Sequence, residues 1–339
     1  LDNRYSRQTL FRPIGDEGQR RLEQAVVSII GCGALGSAAA ETLVRAGVGT
    51  LQLIDRDVVE LSNLQRQNLF TESHAFEQIP KVVAAEQRLR DIRSDVLLST
   101  TIDHADGKLI EQLVRTSDLV IDATDNFETR LMINDAAHKY NRPWIYGACV
   151  GSGGVVFPFI PGVTACFRCL LPVLPALNET CDSTGIISPA VQVTAALQCA
   201  EALKWLTGNK DRMMSKVHHF DLWSDERMNV GVSKIKLEDC PTCGLAPTYP
   251  SLATSDQAKF VVLCGRETVQ IIPDRQRTIT LDDVERVGER SAKLVRRTPY
   301  FVEIALEPYR LIAFNNGRIL IHGLRDKHEA RKLYHKLFG

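Results

Sequence analysis

Apolar positions along the first 150 residues fall into two alternating patterns. Short solid runs read as buried strands: 26–30, 51–54, 96–101, 119–122 and 144–150. Between them, apolar residues recur at helical spacing over 34–46, 81–90, 107–114 and 127–140, and a further helix over 16–24 precedes the first strand. Gly47 and Gly49 end the 34–46 helix, Pro80 opens the 81–90 helix, and 57–72 is polar and irregular. Strands alternating with helices predict a doubly wound, mostly parallel sheet.

The pattern changes after Gly151. Residues 153–160, 216–222 and 229–236 read as strands without intervening crossover helices, so we expect antiparallel strands to extend the sheet. One long helix, 189–206, is expected to be capped by Ser188 and Pro189 and stopped by Gly208. A Pro-rich, thiol-containing loop, 161–187, precedes it. Residues 245–255 read as a linker, separating a domain at 1–244 from a small α+β domain at 256–339. The latter has expected hairpins at 260–265/268–273 and 310–314/318–322, the second over Asn315-Asn316-Gly317. It also has a strand at 300–306 and helices at 281–291 and 325–338.

Composition changes this picture little. The 339 residues carry no net charge, which gives no reason to expect nucleic-acid binding. No apolar run reaches the ~18 residues of a membrane span. With no visible signal peptide, we expect a cytoplasmic protein. Its nine cysteines then point to metal or thiol chemistry rather than a disulfide scaffold.

The first strand runs directly into Gly31-x-Gly33-x-x-Gly36 and then a helix. Such glycines permit a tight turn, approach of a phosphate to the backbone, and close helix packing. With Asp55 placed to take ribose hydroxyls, the expected fold is Rossmann-like and the ligand a nucleotide, NAD being the commonest. Downstream, Asn63, Arg66 and Gln67, with Lys81 opening the next helix, supply the amide and cationic donors a triphosphate needs. Composition alone reads the same stretch as a solvated polar loop. At the end of strand 119–122, in Asp122-Ala123-Thr124-Asp125-Asn126, a carboxylate can hold Mg²⁺ between phosphates, while Asp125 or Asn126 suits a helix cap equally well. Cys166-x-x-Cys169 and Cys240-x-x-Cys243, 70 residues apart, can hold one structural zinc. Cys181 is surplus to that site, a candidate nucleophile or a bystander. Cys32, Cys149 and Cys199 read as packing residues.

Taken in order, several motifs resemble the adenylyltransferases related to ubiquitin-activating enzymes, the ThiF/MoeB/HesA family. They are Arg4-Tyr5-Ser6-Arg7-Gln8, the glycine loop, Asp55-Arg56-Asp57, Ser62 to Gln67, Lys81, Thr124-Asp125-Asn126 and the two C-x-x-C pairs. The resemblance spans residues 1–244. It implies ATP-dependent adenylation of the C-terminal glycine of a small ubiquitin-fold sulfur carrier ending in Gly-Gly, with release of pyrophosphate. It assigns Asp55, beside Asp57, to the ribose of ATP, Asn63, Arg66 and Lys81 to the phosphates, Asp125 to Mg²⁺, and the four cysteines to Zn²⁺. Arg7 would reach the triphosphate of the neighbouring subunit, which implies a homodimer. Cys181 matches a loop cysteine that forms a covalent link to the carrier in some members. The tail at 256–339 lacks a rhodanese active-site loop, and Cys264 reads as a strand residue. The tail is similar to the extension on thiazole-biosynthesis members from Gram-positive bacteria, so the expected carrier serves thiamine synthesis, and a cysteine desulfurase is a candidate sulfur donor. Activation of the molybdopterin-synthase small subunit is the alternative, and an NAD-dependent oxidoreductase a distant one.

Overall fold

The computed structural model describes residues 3–173, 184–253, 259–262, 267–272, 279–291 and 293–338. The chain divides into two compact units, Leu1–Thr254 and Ser255–Gly339. Among the described residues, no helix is long and apolar enough to cross a membrane.

The first unit opens with the short helix α1 (Ser6–Thr9) and α2 (Gly15–Gln24). There follow β1 (Val26–Ile30), α3 (Ala34–Ala46), β2 (Thr50–Asp55), α4 (Glu72–Phe76), α5 (Lys81–Ile92), β3 (Leu97–Ile102), α6 (Gly107–Thr116), β4 (Leu119–Asp122), α7 (Phe127–Lys139) and β5 (Trp144–Val150). β6 (Gly153–Phe159), α8 (Phe167–Leu170), α9 (Ser188–Leu206), β7 (Lys216–Asp221) and β8 (Glu226–Gly231) complete it. The sheet order is β3-β2-β1-β4-β5-β6-β7-β8. Its first five strands are parallel and its last three antiparallel, the extension expected from the pattern.

Alternation along the parallel strands separates two cores. Val27, Ile29, Leu51, Leu53, Leu119 and Ile121 face α3, α5 and α9. Ile30, Ile54, Val120, Trp144 and Tyr146 face α6 and α7. The chain reverses across the sheet between β1 and β4, and in such folds ligands lie beyond the carboxyl ends of the strands at that crevice.

Three local expectations need correction. The long helix is entered through Ile187, whose side chain cannot cap it; Ser188 and Pro189 are already within its first turn. The last strand of the sheet lies at Glu226–Gly231 rather than 229–236. It is an edge strand exposed along its whole length, so no buried face marked its limits. The stretch read as a linker is docked up to residue 252. Leu252 is buried, and the Ser251 amide donates to Asp135 Oδ2 of α7 at 2.8 Å.

The second unit is a six-stranded antiparallel sheet with two described helices. Its chain-order elements are β9 (Lys259–Val262), β10 (Thr268–Ile272), α10 (Leu281–Ser291), β11 (Lys293–Arg297), β12 (Phe301–Leu306), β13 (Tyr309–Phe314), β14 (Ile319–His322) and α11 (Lys327–Phe338). Both expected hairpins form, β9 with β10 and β13 with β14. β11 had no counterpart in the sequence reading. Val269, Ile271, Val302, Ile304, Leu311, Ile319 and Ile321 make the core with Ala330 and Tyr334 of α11. Cys264 lies outside the described residues.

Candidate nucleotide and metal sites

The glycine loop joins β1 to α3, and each glycine meets a different surrounding. Gly31 has φ +95°, and a Cβ there would stand 2.6 Å from the Ala123 carbonyl oxygen. A Cβ on Gly36 would stand 1.9 Å from the Gly31 carbonyl oxygen. Both positions therefore demand glycine for backbone reasons. Gly33 differs: a Cβ there would meet only the Gln67 amide nitrogen, at 3.9 Å. Its surface is open to a ligand at the N-terminus of a 13-residue helix, where backbone N–H groups and the helix dipole favour an anion.

The end of β2 is tied to this loop. Asp55 Oδ2 accepts from the Cys32 amide at 2.7 Å, and Oδ1 from the Asp57 amide at 2.8 Å. The carboxylate is thereby fixed in direction while retaining lone pairs for a hydroxyl donor. Lys81, at the start of α5, is drawn in by its amide bonding the Asp57 carbonyl at 2.9 Å. Its ammonium lies 3.4 Å from Asp57 Oδ2, and the residue is 8% exposed. Burial disfavours that charge, but Asp55 and Asp57 outweigh it and hold the lysine above its usual range. Cys32 is fully buried here; burial, reinforced by the Asp55 charge, pushes its thiol well up, so it is a packing residue and not a nucleophile.

The polar stretch beyond Asp57 is more structured than expected. A 3₁₀ turn at Leu61–Asn63 is closed by a reciprocal box in which Asn63 Oδ1 accepts from the Glu60 amide at 3.1 Å. Arg66 Nη1 donates back to the Ser62 carbonyl at 2.9 Å. Asn63 and Gln67 are each 4% exposed, and Gln67 Oε1 is buried with no hydrogen-bond partner. It is the Gln67 amide nitrogen, a donor, that faces the open side of Gly33.

The loop after β4 lies against the glycine loop, its Ala123 amide bonding the Ile30 carbonyl at 2.9 Å. Asn126 turns out to be the helix cap, its Oδ1 accepting from the Thr129 amide at 2.9 Å. Asp125 is exposed and is the residue of the pair left to a ligand. Two residues overlooked in the sequence hold this loop. Arg130 pairs with fully buried Asp122 at 3.1 Å and donates to the Thr124 carbonyl at 2.6 Å. Burial raises the Asp122 carboxyl, against the pull of the Arg130 charge and the Thr124 hydrogen bonds. Gln198, also fully buried, donates to the Asp122 carbonyl at 2.7 Å. A basic residue one helical turn inside a capped helix, after a buried Asp, was the only available signal.

Arg7 is not brought to this site within its own chain. Gln8 and Tyr5 anchor its helix against Ala46 and Gly47, at the far end of α3. The 13 residues of that helix place the glycine loop about 20 Å away at 1.5 Å per residue. Cys181 lies outside the described residues.

The four C-x-x-C cysteines do converge. Cys166 Sγ is 3.8 Å from Cys169 and 3.6 Å from Cys240, and Cys169 is 3.6 Å from Cys243. All four sulfurs lie within 4.8 Å of one another, a group able to hold a metal ion. Gly244 lets the knuckle close, since a Cβ there would meet the Cys240 and Glu238 carbonyls at 2.5 Å. Fully buried Asp135 of α7 ties the knuckle down through Thr242 Oγ1 and Arg168.

Comparison with known proteins fits this arrangement. The family model described as the ThiF family matches residues 5–242. The chain is 45% identical over its full length, and the relative's, to the sulfur carrier protein ThiS adenylyltransferase of Bacillus subtilis. It is 38% identical over 242 residues to the protein of the same name from Escherichia coli, covering 71% of this chain and 94% of that one. Adenylyltransferase and sulfurtransferase MOCS3-1 of Zea mays is 35% identical over 71% of this chain and 51% of its own. Among solved structures, E. coli MccB with ATP superimposes with a TM-score of 0.62 over 72% of this chain and 75% of that one; at 24% identity the likeness is one of fold.

Proposed function

The chain belongs to the ThiF family, and on that premise we propose that it adenylates the C-terminal glycine of a ubiquitin-fold sulfur carrier of the thiamine-thiazole type. The observation that carries the choice of carrier is the full-length match to a ThiS adenylyltransferase, which includes the second unit. Family membership sets aside the nicotinamide reading of the glycine loop.

The chemistry asks little of a base. The carrier's carboxylate is ionised already and attacks the α-phosphorus of ATP; the bond to the bridging oxygen breaks, and pyrophosphate leaves with its electron pair. What the enzyme supplies is alignment and charge compensation. We assign the ribose to Asp55, fixed by the Cys32 and Asp57 amides. The phosphates lie over Gly33 and the α3 N-terminus, with Asn63, Arg66, Gln67 and Lys81 as donors. Lys81 stays charged because Asp55 and Asp57 hold its proton. Asp125 would hold Mg²⁺, which would supply charge compensation at the phosphates. Arg7, remote from its own glycine loop, acts in the site of a second subunit of a homodimer. Cys181 is available for covalent sulfur transfer from a donor such as a cysteine desulfurase.

The thiol group suits zinc. A tetrahedral zinc with sulfurs at about 2.3 Å spaces them about 3.8 Å apart, close to the separations here. Four protein sulfurs leave no open position, so the role is structural. We place the protein in the cytoplasm, where free thiols persist.

Mass spectrometry of the carrier after incubation with enzyme and MgATP tests the reading. A thiazole-type carrier gaining one adenylyl group supports it; modification of a molybdopterin-type carrier alone would reassign the pathway.

A further inference from the structure

β4 and β5 pair only at Val120↔Trp144 and Ile121↔Ile145, and beyond that point they part. Two buried side chains fill the split from opposite faces of the sheet. From α7, Arg130 reaches the Asp122 carboxylate, the Thr124 carbonyl at 2.6 Å and the Gly147 carbonyl at 3.4 Å. Its guanidinium also lies 5.0 Å from the Tyr146 ring centre. From α9, the Gln198 amide nitrogen bridges the Asp122 carbonyl at 2.7 Å and the Ile145 carbonyl at 3.1 Å. Gly147 must be glycine to admit it, since a Cβ there would stand 2.4 Å from the Gln198 amide carbon. The Asp122 carboxylate in turn accepts from the Thr124 amide and hydroxyl. Apart from the two that end on Gly147 and Ile145 of β5, these bonds converge on Asp122 and Thr124, within the three residues that precede Asp125.

We propose that Arg130 and Gln198 are positioning residues, a two-sided wedge that sets where the β4 loop holds the Asp125 carboxylate relative to the glycine loop. This rests on the reading of Asp125 as the carboxylate for ATP-bound Mg²⁺. The geometry makes a specific demand. Neither side chain hydrogen-bonds Gly33, Asp55 or Lys81 among the described residues, and the loop they hold meets the glycine loop through Ala123. The gain in affinity that Mg²⁺ confers should therefore suffer more than the binding of metal-free ATP.

The test is calorimetric titration of the full chain with ATP, in excess EDTA and in saturating Mg²⁺, for Arg130→Lys, Gln198→Met, Asp125→Asn and the Arg130→Lys/Asp125→Asn double variant. Arg130→Lys keeps a cation beside Asp122 but gives up the fork to the two carbonyls. The expected result is a fivefold or greater loss of the Mg²⁺ enhancement in each single variant, with EDTA affinity within twofold of wild type. The double variant should lose no more than Asp125→Asn. A structural role alone would lower both affinities together, and that outcome overturns the proposal. So does a normal enhancement in Gln198→Met, the milder substitution, should Arg130→Lys fold poorly. If Asp125→Asn itself leaves the enhancement unchanged, the underlying assignment of Asp125 fails instead.

Discussion

Gly33 and Gly36 sit three residues apart in one loop, and alanine should separate their roles cleanly. At Gly36 the new Cβ would fall 1.9 Å from the Gly31 carbonyl oxygen and 3.2 Å from the Ala123 Cβ. The first obstacle is backbone, so the loop or the helix must move. Overpacking costs about 1–3 kcal/mol, and an immovable carbonyl puts this case near the top of that range. In a unit of this size roughly 2–4 °C of Tm accompanies each kcal/mol, giving a drop of about 6–12 °C. At Gly33 the Cβ would meet only Gln67 Nε2, at 3.9 Å, and φ is −82°. The residue is the N-cap of α3, where alanine is poorer than glycine, so the cost is up to about 1 kcal/mol. Its effect falls on the ligand: the methyl occupies the surface assigned to the phosphates. We expect ATP affinity to fall at least about tenfold, some 1.4 kcal/mol. Thermal denaturation and calorimetric ATP titration of both variants make the comparison. Gly33→Ala binding ATP within twofold of wild type would refute the placement of the phosphates, and Gly36→Ala melting normally would refute the packing argument.

Other outcomes follow from the same geometry. Cys240→Ser should reduce bound zinc, measured by elemental analysis, to well under one per chain and lower the melting temperature; full zinc content would remove Cys240 from the ligand set. Burial holds His138 down at about 4, aided by Lys236 and opposed by Asp135. A histidine kept neutral in the fold contributes stability above its unfolded value of ~6.5 that is lost as pH falls toward 4, here up to about 3 kcal/mol. The urea midpoint should therefore fall through that window, and His138→Gln should flatten the slope; an equal slope in both proteins contradicts the assignment. Arg7→Ala and Asp125→Asn chains, each inactive alone, should recover part of the activity when mixed, because one composite site stays whole. Failure to complement, with mixed dimers shown to form, would mean that Arg7 acts within its own chain.

How far the sequence revealed all this depended on where each residue's partners lie. β1, the glycine loop and α3 were legible to the residue because strand, turn and helix signals are contiguous there. The thiol site was legible across a gap of 70 residues because few other chemistries use two C-x-x-C pairs. Arg130 and Gln198 were not, since their roles exist only against carbonyls up to 76 residues away. β11, Lys-Leu-Val-Arg-Arg, hid behind its charges, and β8 behind its exposure. Asp125 and Asn126 looked interchangeable until the helix start showed which one caps it.

In the function proposed, the glycine loop serves an adenylyl transfer to a carrier's C-terminus. Carrier-dependent exchange of labelled pyrophosphate into ATP tests it most directly. Exchange is expected with a thiazole-type carrier ending in Gly-Gly, and none when its terminal glycine is removed. Absence of exchange with every Gly-Gly carrier, or exchange indifferent to the terminal glycine, would contradict it.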